Sequence, residues 1–241
     1  MVSEREVQHL ESITPFYREG DRMDELLIER EMDIVRRFCQ GEGKWVLEVG
    51  CGNGYSTRRL SEIFGNLEVI EPSKGNIALL RESLPDVSCH NLLLENFSSG
   101  RKFDYIFFLN VIEHVEDPVG SLRQLASLLK DEGLIFISAP NCMSLNRRAG
   151  YRMGLLQSYD TLAPKDLLVG HRRLYTKNML EDHCDQACLR VVELKGLYLK
   201  PLSEKQMIEL GDDVVNAFHL LGEDVPEYCA SLLAIATKKH Y

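Results

Sequence analysis

Three glycines at alternate positions, Gly50, Gly52 and Gly54, follow the apolar run Trp45–Val49, and an acid, Glu48, stands two places before the first of them. The apolar run predicts a buried strand, the glycines a turn whose backbone can approach a ligand closely, and Ser56-Thr57 the start of a helix. Strand, glycine turn and helix together form a common nucleotide-binding arrangement in α/β sheets. Charge narrows the choice of nucleotide. A dinucleotide fingerprint, Gly-x-Gly-x-x-Gly, would need glycine where Tyr55 stands, and Glu48 would repel a pyrophosphate. No Gly-Lys-Ser/Thr occurs, which excludes a P-loop. A ligand that carries ammonium and sulfonium charges and no phosphate tolerates Glu48.

A second acid, Glu71, ends the apolar stretch Leu67–Ile70, 17 residues after Gly54, and Pro72 follows it. A carboxylate there can accept hydrogen bonds from both hydroxyls of a ribose. Farther on, the apolar run Phe103–Leu109 leads into Asn110-Val111-Ile112-Glu113-His114. The glycine turn and this second segment resemble the first motif and the strand-four signature of the class I S-adenosylmethionine (SAM) methyltransferases. The resembling subgroup includes enzymes of ubiquinone and small-metabolite methylation. Specific motifs carry the resemblance over about residues 40–200. It implies that Glu48, Gly50, Cys51, Gly52 and Gly54 hold the methionine end of SAM, with Asn110 beside them. It further implies ribose contacts from Glu71 and Pro72 and adenine contacts among Glu95, Asn96 and Phe97. Tyr17 is the candidate for an N-terminal aromatic that closes over the cofactor.

Methyl transfer from a sulfonium is an in-line displacement, so the protein must align the acceptor, exclude water and remove a proton where the acceptor is an alcohol. The candidates are His171, His114 and Glu113. Asn141, Arg147, Arg148, Arg173 and Tyr175 are expected to meet the acceptor, the arginines forming a pocket for an anionic or sugar-like group. Glu113, His114 and His171 also resemble the Glu-x-x-Glu-His set, completed by a distant His, of magnesium-dependent relatives that include small-RNA 2′-O-methyltransferases. Here Asn110 replaces the first glutamate, so no metal is expected, with those three residues as the alternative ligands.

These side chains must be positioned by elements. Residues 3–40 predict helix, broken at Thr14-Pro15, so that 1–43 form a helical cap. Seven strands alternate with helices: Trp45–Val49, Leu67–Ile70, Val87–Asn91, Phe103–Leu109, Leu134–Ser138, Leu189–Lys195 and Ala230–Thr237. A turn is read at 130–133 and one helix over 203–221. The weakly periodic stretch 142–175 is expected to form a substrate lid after strand 5. The fold expected is a single α/β, Rossmann-like, seven-stranded methyltransferase domain over 1–241, with helices on both faces.

Whole-chain properties agree. The 241 residues carry a formal net charge of −9, which argues against a nucleic-acid partner. The N-terminus has no apolar leader and no segment approaches a membrane span, so a cytoplasmic protein is expected, as a monomer or homodimer. Seven cysteines without a Cys-x-x-Cys read as reduced thiols. The expected activity is SAM-dependent methylation of a small polar metabolite, at oxygen first, with nitrogen or carboxyl acceptors as variants. Magnesium-dependent RNA 2′-O-methylation, a non-catalytic SAM-binding module and an NAD oxidoreductase are the competing readings. Glu48 and Tyr55 speak against the last.

Overall fold

The structure is a computed structural model that describes residues 7, 8, 10–12, 22–40 and 42–239. Tyr17, within 13–21, lies outside the described residues, as do residues 1–6, 9 and 41 of the N-terminal cap. Seven strands form one sheet in the order β3-β2-β1-β4-β5-β7-β6. They are β1 (Trp45–Val49), β2 (Asn66–Ile70), β3 (Ser88–His90), β4 (Phe103–Leu109), β5 (Leu129–Pro140), β6 (Leu189–Leu197) and β7 (Ser231–Lys238). The first five run parallel, and β7 is antiparallel to both β5 and β6. This is the class I methyltransferase sheet expected from the sequence.

The central strands are apolar throughout because both faces are covered. Alternation decides which residue meets which layer. Val46, Tyr105, Phe107 and Phe136 pack with α1 (Arg22–Phe38), α2 (Tyr55–Ile63) and α3 (Lys74–Ser83). Their neighbours Leu47, Ile106, Phe108, Ile135 and Ile137 pack on the other face against α4 (Pro118–Leu128) and α7 (Lys177–Gln186). Short polar side chains fix the helix starts. Ser73 accepts from Asn76 N at 3.1 Å, Asp117 from Gly120 N at 2.8 Å and Thr176 from Met179 N at 3.1 Å.

Two boundaries differ from expectation. Residues 130–133 form an irregular stretch of β5, because Leu129 leaves α4 directly in an extended conformation and pairs with Phe103. The helix expected over 203–221 is two helices, α8 (Glu204–Glu209) and α9 (Asp212–Gly222), separated at Gly211 with φ 91°. Between β5 and α7 lie two short helices, α5 (Leu145–Arg152) and α6 (Pro164–Leu168). Among the described residues no helix is long and apolar enough to cross a membrane.

Candidate active site

A cavity of about 590 Å³ opens over the C-terminal ends of β1, β2, β4 and β5, where a parallel sheet leaves its crevice. The first wall is the glycine turn. Gly50 has φ 81°, and a Cβ there would lie 2.7 Å from Val111 Cγ2, so the turn presses against the loop after β4. Gly52 has φ 51° and nothing within 4 Å of a Cβ position, which leaves its backbone bare to the cavity. Cys51, Gly50 and Gly52 line the cavity, whereas Gly54 caps α2 against Leu80 behind it.

Glu71 borders the cavity with 5% exposure. Oε1 accepts from Ser73 N at 2.9 Å, and Oε2 from Cys51 N at 3.0 Å and, weakly, from Cys51 Sγ at 3.5 Å. A carboxylate has about four acceptor sites, so Oε1 keeps a lone pair for a ligand hydroxyl. Pro72 and Glu95 also line the wall, with Leu93 and Leu94. Asn96 and Phe97 do not; Phe97 is buried in the core, its ring 5.0 Å from that of His90. The apolar side chains that line this end are Leu93 and Leu94. The sequence reading passed over these two leucines in favour of the larger Phe97.

Glu48 is not a lining residue. It lies 1% exposed beneath the turn, bound by Ser56 Oγ at 2.5 Å, and its Oε2 has no hydrogen-bond partner. Burial pushes its carboxyl up to about 7, against the Ser56 and Thr57 hydrogen bonds. Asn110 does line the cavity, with φ 53°. This left-handed conformation is one that asparagine tolerates, and Asn110 N donates to Ser138 O and Oγ, both at 3.1 Å.

The opposite wall gathers Glu113, His114 and His171, which come from segments some sixty residues apart. Glu113 is 1% exposed, with Oε2 unpartnered and Oε1 3.8 Å from His171 Nε2 and 4.0 Å from His114 Nε2. Burial pushes Glu113 up to about 7, opposed by the charge of His171. The other nitrogen, His171 Nδ1, faces Asp166 Oδ1 at 3.3 Å. Burial alone would raise Asp166, but His171, the Ala163 N–H and Arg147 bring it below its ordinary value. No motif in the sequence marks Asp166. Here it sits where an orienting carboxylate for His171 would sit.

Glu113, His114 and His171 offer ligand-type atoms within 4.8 Å of one another. Two imidazoles and one carboxylate are a poor match for magnesium, which takes oxygen ligands in a strict octahedron. Among the described residues the set also lacks the second carboxylate, whose place Asn110 takes, which leaves magnesium a single hard oxygen ligand here.

The expected anion pocket is not formed. Arg147 lines the cavity but donates to Tyr159 O at 2.9 Å and to Thr161 O, and pairs with Asp166 at 3.5 Å. Arg148 donates to Met143 O and lies over the Tyr228 ring. Arg173 is tied to the carbonyls of Ile112 and Val115. Arg148, Arg173 and Tyr175 stay off the cavity wall. Tyr175 is fully buried and pairs as an isolated bridge with Asn141, which borders the cavity but spends its amide on Glu227 O and Cys229 O. Each arginine satisfies loop carbonyls that sheet and helix leave unpaired. The charged lining is instead acidic: Asp24, Glu31, Glu71, Glu95, Glu113, Glu116 and Asp166 against Arg147, Lys165 and Lys200.

A methyltransferase domain family model matches residues 22–194. The chain belongs to this methyltransferase family. With the class I sheet it is a SAM-dependent methyltransferase. Its relatives include a ubiquinone biosynthesis O-methyltransferase of Actinobacillus pleuropneumoniae, 28% identical over 194 residues, covering 75% of this chain and 80% of that protein. Among solved structures, the N-methyltransferase NodS of Bradyrhizobium japonicum, in complex with S-adenosylhomocysteine (SAH), aligns with TM-score 0.60 at 16% identity, over 98% of this chain and 100% of that one. A SAM-dependent methyltransferase of Mesorhizobium loti aligns with TM-score 0.64 at 15% identity, over 87% and 98%.

Proposed function

We propose that this methyltransferase transfers its methyl group to an oxygen of a small polar metabolite, with His171 as general base. The observation that carries the reading is the row Asp166–His171–Glu113 on the cavity wall opposite the glycine turn. SAM supplies a methyl group already activated on sulfonium sulfur. Gly50, Gly52 and Asn110 would hold its methionine end, Glu71 its ribose, and Leu93, Leu94 and Glu95 its adenine.

The chain's own task is to place the acceptor and take its proton. Asp166 Oδ1, 3.3 Å from Nδ1, would orient the ring with Nε2, 3.8 Å from Glu113 Oε1, left to meet the acceptor. An acceptor hydroxyl reaching Nε2 would give up its proton there as the oxygen attacks. Residues 142–175 would form the substrate cover, since Arg147, Ala163, Lys165, Asp166 and Val169 from this stretch line the cavity. The acidic lining supports a neutral, cationic or hydroxyl-rich acceptor over an anionic one, and it argues against RNA, whose phosphates need cationic contacts. The O-methyltransferase name of the A. pleuropneumoniae relative supports oxygen as the target. The test is transfer of labelled methyl from SAM into a metabolite extract, with mass identification of the product. At saturating SAM, His171→Ala is expected to lose about 10²–10⁴ in kcat on that acceptor. Wild-type turnover in the variant would remove His171 as the base.

A further inference from the structure

Glu31 is the acid in this site that neither the fold nor the proton-transfer row uses. It lies on α1, on a helix face otherwise made of core residues such as Met32, Ile34 and Val35, and it is 0% exposed. Both of its carboxyl oxygens lack a hydrogen-bond partner, and no cation pairs with it among the described residues. It nevertheless borders the cavity, together with Leu27 and Ile28 of the same helix. Two polar groups act on it in opposite senses: the Ser138 hydroxyl, which receives Asn110 N, lowers it as a nearby donor although it stands outside hydrogen-bond geometry, and the carboxylate of Glu113 raises it. Burial pushes its carboxyl up to about 7, and the neighbouring Glu113 adds to the rise.

Burying a carboxyl with neither oxygen bonded is costly, and a helix that needed only packing here would carry an apolar residue. The cost disappears if a ligand brings the missing donors. Two buried acids on one cavity, Glu31 with both oxygens unpartnered and Glu113 with one, suit a group with positive charge and several N–H donors. An alkylammonium group, with three N–H donors, meets both requirements; an anion meets neither. A hydroxyl could satisfy one oxygen and would leave the charge of the pair uncompensated.

We propose that Glu31, on the cavity that Glu113 also lines, forms a buried binding site for an alkylammonium group in the methyl-transfer cavity. The proposal rests on the reading of this cavity as the methyl-transfer site. Two sources offer such a group: the α-amino group of SAM and an amine on the acceptor. They share the same chemistry and separate in the test.

Calorimetry on the full chain would compare wild type with Glu31→Gln, which keeps the shape and removes the charge. The probes are SAH, the SAH analogue lacking its α-amino group, and n-butylammonium added to protein saturated with SAH. The expected result is at least about a tenfold loss of affinity for one ammonium probe in the variant. Loss for SAH with no loss for its deaminated analogue assigns the site to the cofactor's amine. Unchanged SAH with loss of n-butylammonium assigns it to the acceptor. Glu31→Asp should recover part of the affinity, and thermal unfolding should find Glu31→Gln at least as stable as wild type. If wild type binds SAH and Glu31→Gln changes neither probe, this proposal falls alone. If wild type fails to bind SAH, the methyl-donor site falls with it.

Discussion

Glu71 is the residue on which the cofactor half of the site turns. Its oxygens each hold one backbone N–H, from Cys51 and Ser73, so it orders the glycine turn before any ligand arrives. Glu71→Gln would turn one of those acceptors into a donor facing another donor and would weaken a ribose bond as well. Charge-assisted hydrogen bonds contribute about 1.5–3 kcal/mol each, so SAH affinity is expected to fall roughly tenfold to a hundredfold. Unchanged affinity by calorimetry would displace Glu71 from the ribose. On the acceptor side, Asp166 would act through His171, whose Nδ1 it faces at 3.3 Å. Asp166→Asn can still accept the Ala163 N–H through its amide oxygen, which should preserve the fold of the cover. It no longer fixes the imidazole tautomer. The expected outcome is a fall in kcat of about tenfold or more, with KM for SAM unchanged. A rise in KM for SAM at constant kcat would reassign Asp166 to cofactor binding.

At the scale of elements, the site depends on how closely the β1–α2 turn approaches the loop after β4. Val111 Cγ2 occupies the space where a side chain on Gly50 would begin, and Gly50 itself has φ 81°. Gly50→Ala therefore meets two penalties. The left-handed conformation costs an L-residue roughly 1–2 kcal/mol, and the contact at 2.7 Å forces one loop to shift. Thermal unfolding should register both, and SAH binding should be lost with the displaced turn. Adding Val111→Ala should relieve the contact and leave the conformational part, so the double variant recovers only partway. Full recovery would show that the φ of Gly50 carries no strain.

The strands and motif helices around this turn were legible in the sequence because buried parallel strands are apolar runs and helix starts carry Ser, Thr or Asp. The split at Gly211 was missed because one glycine inside an amphipathic pattern does not announce its dihedral angle. The arginines were misread for a related reason. Sequence shows their charge but not the unpaired loop carbonyls that absorb it. Glu31 was invisible to pattern analysis because an acid on an amphipathic helix is ordinarily solvated, and only the packing of α1 over the sheet ends buries it.

For the molecule as a whole, these buried acids set the dependence of stability on pH. Glu31, Glu48 and Glu113 are each pushed by burial from the ordinary 4.5 up to about 7. An acid whose folded pKa lies above its unfolded value favours the folded state fully below the unfolded pKa. That advantage is lost as pH rises through the folded pKa. The window for these three is therefore pH 4.5 to about 7, and stability falls across it as pH rises. Asp104 works in the opposite direction. Burial would raise it, but Lys130, the Trp45 N–H and Lys44 hold it below its ordinary 3.8. Its contribution is present above that value and is lost on acidification. His219, pushed down to about 4 by burial and by Arg30, also opposes the three acids, because below its ordinary 6.5 the unfolded chain takes up a proton that the folded protein does not. Urea unfolding followed from pH 5 to 8 should show a falling midpoint, with about two protons released net on unfolding near pH 6, those of the three acids less the one taken up by His219. Glu31→Gln removes one of the three titrations and should flatten the slope by about one proton. A midpoint that stays level between pH 5 and 8 would mean that these carboxyls ionise freely in the folded state, and that the acid end of the cavity is open to water.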